Sequence, residues 1–138
     1  MTESTIEASK WLSPSKNSET PGAETSALTE LTANLRMSLD DPDPDCRTTP
    51  EVSDTVQRLL QQTATRMSLP IPRGSLSTDA ANGIQVQWDH GDRHVILAVP
   101  ADSSRRRYVY SASGAQSEIH ELSSIVLARL LTRLSRDA

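Results

Sequence analysis

Alternation of apolar and polar positions is strongest between residues 83 and 110. Ile84, Val86 and Trp88 alternate with Gln85, Gln87 and Asp89, as in a strand with one buried face. His90-Gly91 follows as a two-residue turn, because Gly takes positive φ freely and His tolerates it. That turn sets a register in which Trp88 faces Arg93, Val86 faces Val95 and Ile84 faces Leu97. Trp88 over Arg93 then forms a cation–π pair. The second strand, ending at Pro100, is apolar on both faces through Ile96 and Ala98, which predicts a central strand with cover on each side. A third strand carries Tyr108 and Tyr110 on one face and Val109 on the other. Arg73–Thr78 is a candidate fourth, edge strand, and Asn82-Gly83 closes the turn after it.

A 3.6-residue period appears on both sides of this meander. Val52, Val56, Leu59, Leu60 and Met67 form one stripe, with Thr63 filling its gap, and predict a helix over 50–67. Thr49 is its N-cap and Pro50 its first residue. Pro70 and Pro72 end it and hold Leu69-Pro70-Ile71-Pro72 extended. Ile119, Leu122, Val126, Leu130 and Leu134 predict a second helix from about Ser117 to Arg133, broadened by Ile125, Leu127 and Leu131. Leu28, Leu31, Leu35 and Leu39 allow a shorter helix over 26–39, marginal on its own.

The fold class is therefore α+β: an antiparallel three- to four-stranded meander packed by two helices, residues 48–138, behind an acidic and mostly disordered arm, residues 1–47. The arm is rich in Ser, Thr, Glu, Asp and Pro, too polar to offset the entropy of ordering it. Its Trp11 is an isolated aromatic in a polar stretch. Asp40-Asp41-Pro42-Asp43-Pro44-Asp45 reads as an extended, hydrated linker.

Composition narrows the core and the partners. With no Phe, two Trp and two Tyr in 138 residues, the core rests on Leu, Val and Ile, and a core so small gains from a partner. The net charge of −4 is uneven: residues 1–72 hold 11 acidic and 6 basic side chains, residues 73–138 hold 7 and 8. That distribution argues against a broad nucleic-acid surface. The single cysteine, Cys46, excludes an intrachain disulfide and fits a reducing compartment. No apolar run reaches the roughly 18 residues that span a membrane, and the N-terminus lacks a signal-peptide apolar core, so a cytoplasmic protein is expected.

Recognisable chemistry is sparse. Asp41, Asp43 and Asp45 have the spacing that opens a calcium loop, but Cys46 occupies the glycine position and Val52 that of the closing glutamate. His90, His94 and His120 with one distant cysteine make no zinc set. No nucleophile elbow, phosphate loop or His-Glu-x-x-His is present, so no catalytic residue, metal or cofactor is assigned. The candidate surface is Arg105, Arg106, Arg107, Tyr108, Tyr110, Trp88 and Arg93, arginines beside aromatics. Such a set grips phosphates and stacks bases, or serves a protein interface.

Thr49-Pro50-Glu51, Leu69-Pro70-Ile71-Pro72 and Gly83–Trp88 together resemble a group of small bacterial proteins of unknown function. Those proteins combine a Trp-Asp-Gly turn, a Pro-capped helix, a Pro-flanked linker and a Gly-Gly-Ile-x-Leu-x-Trp strand. Asp40-Asp41-Pro42 stands at the position of the first turn and lacks its Trp and Gly. The resemblance covers about Leu31 to Gly114 and implies the fold, with no activity attached. The expected function is a non-enzymatic interaction or regulatory protein, an antitoxin being one such type, with a second copy or another protein as partner. Nucleic-acid binding through Arg105–Arg107 and an enzyme with an unrecognised site are the alternatives.

Overall fold

A computed structural model describes residues 21–79 and 81–136, with the side chains of 21–26 left out. The expected disordered stretch before Pro21, with Trp11, lies outside the described residues. The α+β class holds, with more elements than expected: three helices and five strands. In chain order these are α1 (Pro21–Leu39), α2 (Pro50–Arg66), β1 (Ser75–Thr78), β2 (Ile84–His90), β3 (Arg93–Val99), β4 (Tyr108–Ser113), β5 (Gln116–Glu121) and α3 (Ser124–Arg136). The strands form one antiparallel sheet in the order β1-β2-β3-β4-β5, a simple meander.

Inward-facing residues of the sheet meet the helices in one core. Val86, Trp88, Val95, Leu97, Val99 and Val109 pack with Val56, Leu60, Leu127 and Leu131. Trp88 is fully enclosed, and its indole N–H donates to the Pro72 carbonyl at 2.9 Å. That bond is why the Pro-flanked segment runs where it does: Pro72 supplies an acceptor and Ile71 a buried apolar side chain. Gly74 lies under the same indole, and a Cβ there comes within 2.6 Å of Trp88 Nε1.

α2 follows its sequence signals. The Thr49 hydroxyl accepts from the Val52 N–H, Pro50 opens the helix, and Val52, Val56, Leu59, Leu60 and Thr63 are buried. Thr63 is tolerated there because its hydroxyl donates to the Leu59 carbonyl at 2.7 Å. α1 is longer than the expected 26–39, and Leu31 and Leu35 are buried in the core. That part of the arm therefore packs with the domain: a helix too short to stand alone is held by its leucine stripe.

Three expectations need correction. The β2–β3 turn is Gly91-Asp92, not His90-Gly91. Gly91, at φ +61°, takes the first turn position, where a II′ hairpin wants glycine, and His90 completes β2. Trp88 consequently pairs with Val95, Val86 with Leu97 and Ile84 with Val99. The offset is two residues, so every side chain keeps its face while the Trp88–Arg93 pair disappears. Second, 116–121 is a strand and not the first turns of a helix. Gly114, at φ +60°, opens another tight turn, and β5 satisfies the free edge of β4. α3 starts later, capped by the Ser123 hydroxyl, which accepts from the N–H groups of Ile125 and Val126. Third, the acidic stretch 40–45 is a compact turn: Asp41 and Asp43 carboxylates accept from the N–H groups two residues on, and Arg47 donates to the carbonyls of Asp41 and Pro42.

Asn82 ties this turn to the sheet. It sits at φ 69°, and its amide donates to the carbonyls of Pro44 (2.8 Å) and Arg47 (2.6 Å). The buried Thr48 hydroxyl donates back to the Asn82 carbonyl at 3.0 Å.

Candidate functional site

The helices share one face of the sheet, so among the described residues no helix or strand packs on the other. Register assigns that outer face. One row runs Gln87, Ile96, Tyr110, Ile119 and a second Gln85, Ala98, Tyr108, Glu121. The cover expected over Ile96 and Ala98 is absent among the described residues; Tyr108 and Tyr110, their cross-strand partners, shield them instead. Ala98 is buried, Ile96 and both tyrosines are half-buried, and Ile119 is 59% exposed. The result is an apolar and aromatic centre on an open sheet face, a composition enriched at protein interfaces.

The two ends of this face differ in charge. Below Tyr108 lies the β3–β4 loop with Arg105, Arg106 and Arg107, all exposed. The loop has a fixed shape: the Asp102 carboxylate accepts from the Ser104 N–H (2.9 Å) and hydroxyl (2.7 Å), and the Asp102 carbonyl accepts from the Arg105 N–H (3.0 Å). Those bonds from Ser104, hydroxyl first, hold the Asp102 carboxyl below its ordinary range. At the far end Asp89 accepts from the Gln87 amide at 2.8 Å and contacts His94 Nδ1. The Gln87 bond and then the His94 bond lower its pKa. Three arginines thus stand at one end of the apolar centre, with Glu121 opposite Tyr108, and Asp89 in contact with His94 at the other.

The seven candidate residues divide between two faces. Arg105, Arg106, Arg107, Tyr108 and Tyr110 come together on the outer side. Trp88 is core, and Arg93 projects on the helix side, beside His90 and opposite Ser113. Arg93 there borders a cavity of about 270 Å³, with Ser111, Glu118, Leu130 and Arg133. That is a little under the span of ordinary small-molecule sites, roughly 300–1,000 Å³.

Two further surfaces escaped the sequence reading. Ile125, Arg129, Arg133 and Arg136 follow one line of α3 and, with Arg66, border an open groove of about 600 Å³. Their i, i+4, i+8, i+11 spacing was the available signal, but arginines at a helix end read first as dipole partners. β5 itself was hidden by the helix expectation. Cys46 is exposed, yet its thiol pKa is raised, first by its hydrogen bond to Asp43 and then by the charge of that carboxylate. No group of three or more His, Cys, Asp or Glu side chains is arranged to hold a metal among the described residues. None of their helices is long and apolar enough to cross a membrane.

Fold and surface together define a small α+β protein with a one-sided antiparallel sheet. Compared with known proteins, the chain matches no family, no curated protein and no solved structure.

Proposed function

We propose that this is a non-enzymatic protein-interaction or regulatory protein, acting in the cytoplasm, that docks a partner protein on the outer face of its sheet. The observation that carries the reading is the Ile96–Tyr110–Ile119 row beside Ala98 and Tyr108, left open by every described helix. Tyr and Arg dominate the energetics of protein interfaces, and both stand here around an apolar centre. The three arginines at one end favour a partner surface with carboxylates facing them. An antitoxin is one protein type that works by such occlusion.

Tyr110→Asp places a charge at the centre of the face, where the native side chain is only half-buried. The test recovers partners from the source cell, identifies the specific one, and rebuilds the binary complex from purified chains. Binding falls at least about tenfold in the variant while thermal stability stays close to wild type. Equal binding by both overturns the proposal.

A second reading has its own observation: Tyr108 and Tyr110 lie on an open sheet face next to three arginines, the layout of a base-stacking platform. Asp89, Glu121 and the net charge of −4 weigh against it. Binding to single-stranded RNA that weakens steeply with added salt, and is lost on Arg106→Ala, is its signature.

A further inference from the structure

Among the described residues β5 is an end strand of the sheet, and its outer edge matches itself. A two-residue loop makes Ser113 and Gln116 a hydrogen-bonded pair, and antiparallel alternation then decides where each backbone group points. Residues 116, 118 and 120 turn their N–H and C=O groups to β4. Residues 117, 119 and 121 turn theirs outward. Edge strands are normally blunted by charged side chains, proline, a bulge or shortness, and of these β5 has only the carboxylates of Glu118 and Glu121. β5 is six residues long, pairs with β4 without interruption and contains neither Pro nor Lys. Its ionisable side chains are Glu118, His120 and Glu121.

We propose that two copies of the chain join β5 to β5, antiparallel, about a two-fold axis at Ile119. In that register Ile119 meets Ile119 of the second copy, Glu118 meets His120 of the second copy, and Ser117 meets Glu121 of the second copy. Three observations converge on it. Ile119 has the outward-turned backbone groups that an axial hydrogen-bonded pair requires. It is 59% exposed although apolar, and it continues the Ile96–Tyr110 row, so the pairing runs that row unbroken through a ten-stranded sheet. On the inner face, Glu118 and His120 of opposite copies form non-hydrogen-bonded pairs, where cross-strand side chains come closest. His120 Nε2 is closed to solvent and makes no hydrogen bond; its own Glu118 Oε1, 3.2 Å away, lies outside hydrogen-bonding geometry.

Neighbouring registers are worse. Sliding two residues one way sets Glu118 against Glu118 and Ile119 against Ser117. Sliding the other way sets His120 against His120 and Ile119 against Glu121. Carboxylates directly opposite are destabilising, and Ile119 against Ser117 or Glu121 loses its apolar partner, so the sequence of β5 selects one alignment. A one-residue slide puts inner-face side chains against outer-face ones. The pairing uses the edge and leaves the outer face open, so it stands apart from the docking of a partner there.

Sedimentation equilibrium on the full chain, in a concentration series reaching about 1 mM, the weak end of specific association, tests it. The mass is expected to rise from one copy to two and stop. Ile119→Lys stays monomeric with the thermal stability of wild type, because the side chain is exposed in the single copy. His120→Glu, which sets carboxylate against carboxylate, weakens the dimer by about tenfold, and adding Glu118→Lys, which sets opposite charges face to face, returns it to within about threefold. A wild-type chain that is monomeric throughout overturns the proposal. So does a dimer indifferent to Ile119→Lys, or one abolished instead by Tyr110→Asp. Failure of the double variant to recover overturns the register.

Discussion

Single side chains fix much of this structure, and each makes a testable demand. Gly74 has no room for a Cβ beneath the Trp88 indole, because the nearest approach is 2.6 Å to a ring that is itself enclosed. Gly74→Ala should therefore cost about 1–3 kcal/mol, as overpacking does, and break the indole bond to Pro72, both read by urea unfolding with Trp fluorescence. Asn82 holds a positive φ and bonds two carbonyls of the acidic turn. Asn82→Gly relieves the backbone but loses both bonds, while Asn82→Ala loses the bonds and keeps the strain; alanine is the more destabilising, by about 1 kcal/mol. Cys46 is exposed but carries a raised thiol pKa because Asp43 accepts its hydrogen and repels its thiolate. Alkylation at pH 8 should be slower than for a free thiol, and Asp43→Asn should speed it.

Asp89 gives a pH dependence whose sign is determined. Its folded pKa lies below the ordinary 3.8 through the Gln87 and His94 bonds. The contribution to stability is full above that ordinary value and is lost as pH falls through the folded one. Asp89→Asn removes it, so wild type and variant differ in stability above the ordinary value and converge once pH has fallen below the folded one. The carboxylate is half exposed, which keeps the difference small.

Elements were legible where a local signal stood unopposed. α2 has a cap, an N1 proline and an unbroken stripe, and the structure starts it one residue after Thr49, as expected. β2 and β3 were legible as strands because strict alternation admits no helix. Their register was not, because two adjacent two-residue turns share Gly91 and only the backbone geometry chooses between them. β5 was illegible for a different reason. Ile119 and Leu122 extend the α3 stripe backwards with helical spacing, and what makes 116–121 a strand is the unsatisfied edge of β4, a long-range demand absent from local pattern. Amide exchange at low protein concentration separates strand from helix here. Residues 116, 118 and 120 should exchange slowly and 117, 119 and 121 fast, an alternation that a helix cannot produce.

At the scale of the molecule, the sheet has helices on one side and a surface of tyrosine, isoleucine and flanking charge on the other. Of the expected site, Arg105–Arg107, Tyr108 and Tyr110 lie together because alternation in β4 places both tyrosines outward and the Asp102 turn presents the arginines beside them. Trp88 and Arg93 dropped out because both stand on the face that carries Ile84 and Val86, the face the helices cover. The same absence of a second layer accounts for Ile96 and Ala98: β3 is central within the sheet, and its outer residues are sheltered by tyrosines instead of by another element. This account makes the outer face the working surface. The direct measurement is the affinity of the purified partner for wild type, for Tyr110→Asp, and for Arg129→Glu on the helix side as control. The account predicts a loss of about tenfold or more for Tyr110→Asp alone, with wild-type thermal stability in both variants. Unchanged affinity for Tyr110→Asp, or a loss confined to Arg129→Glu, contradicts it.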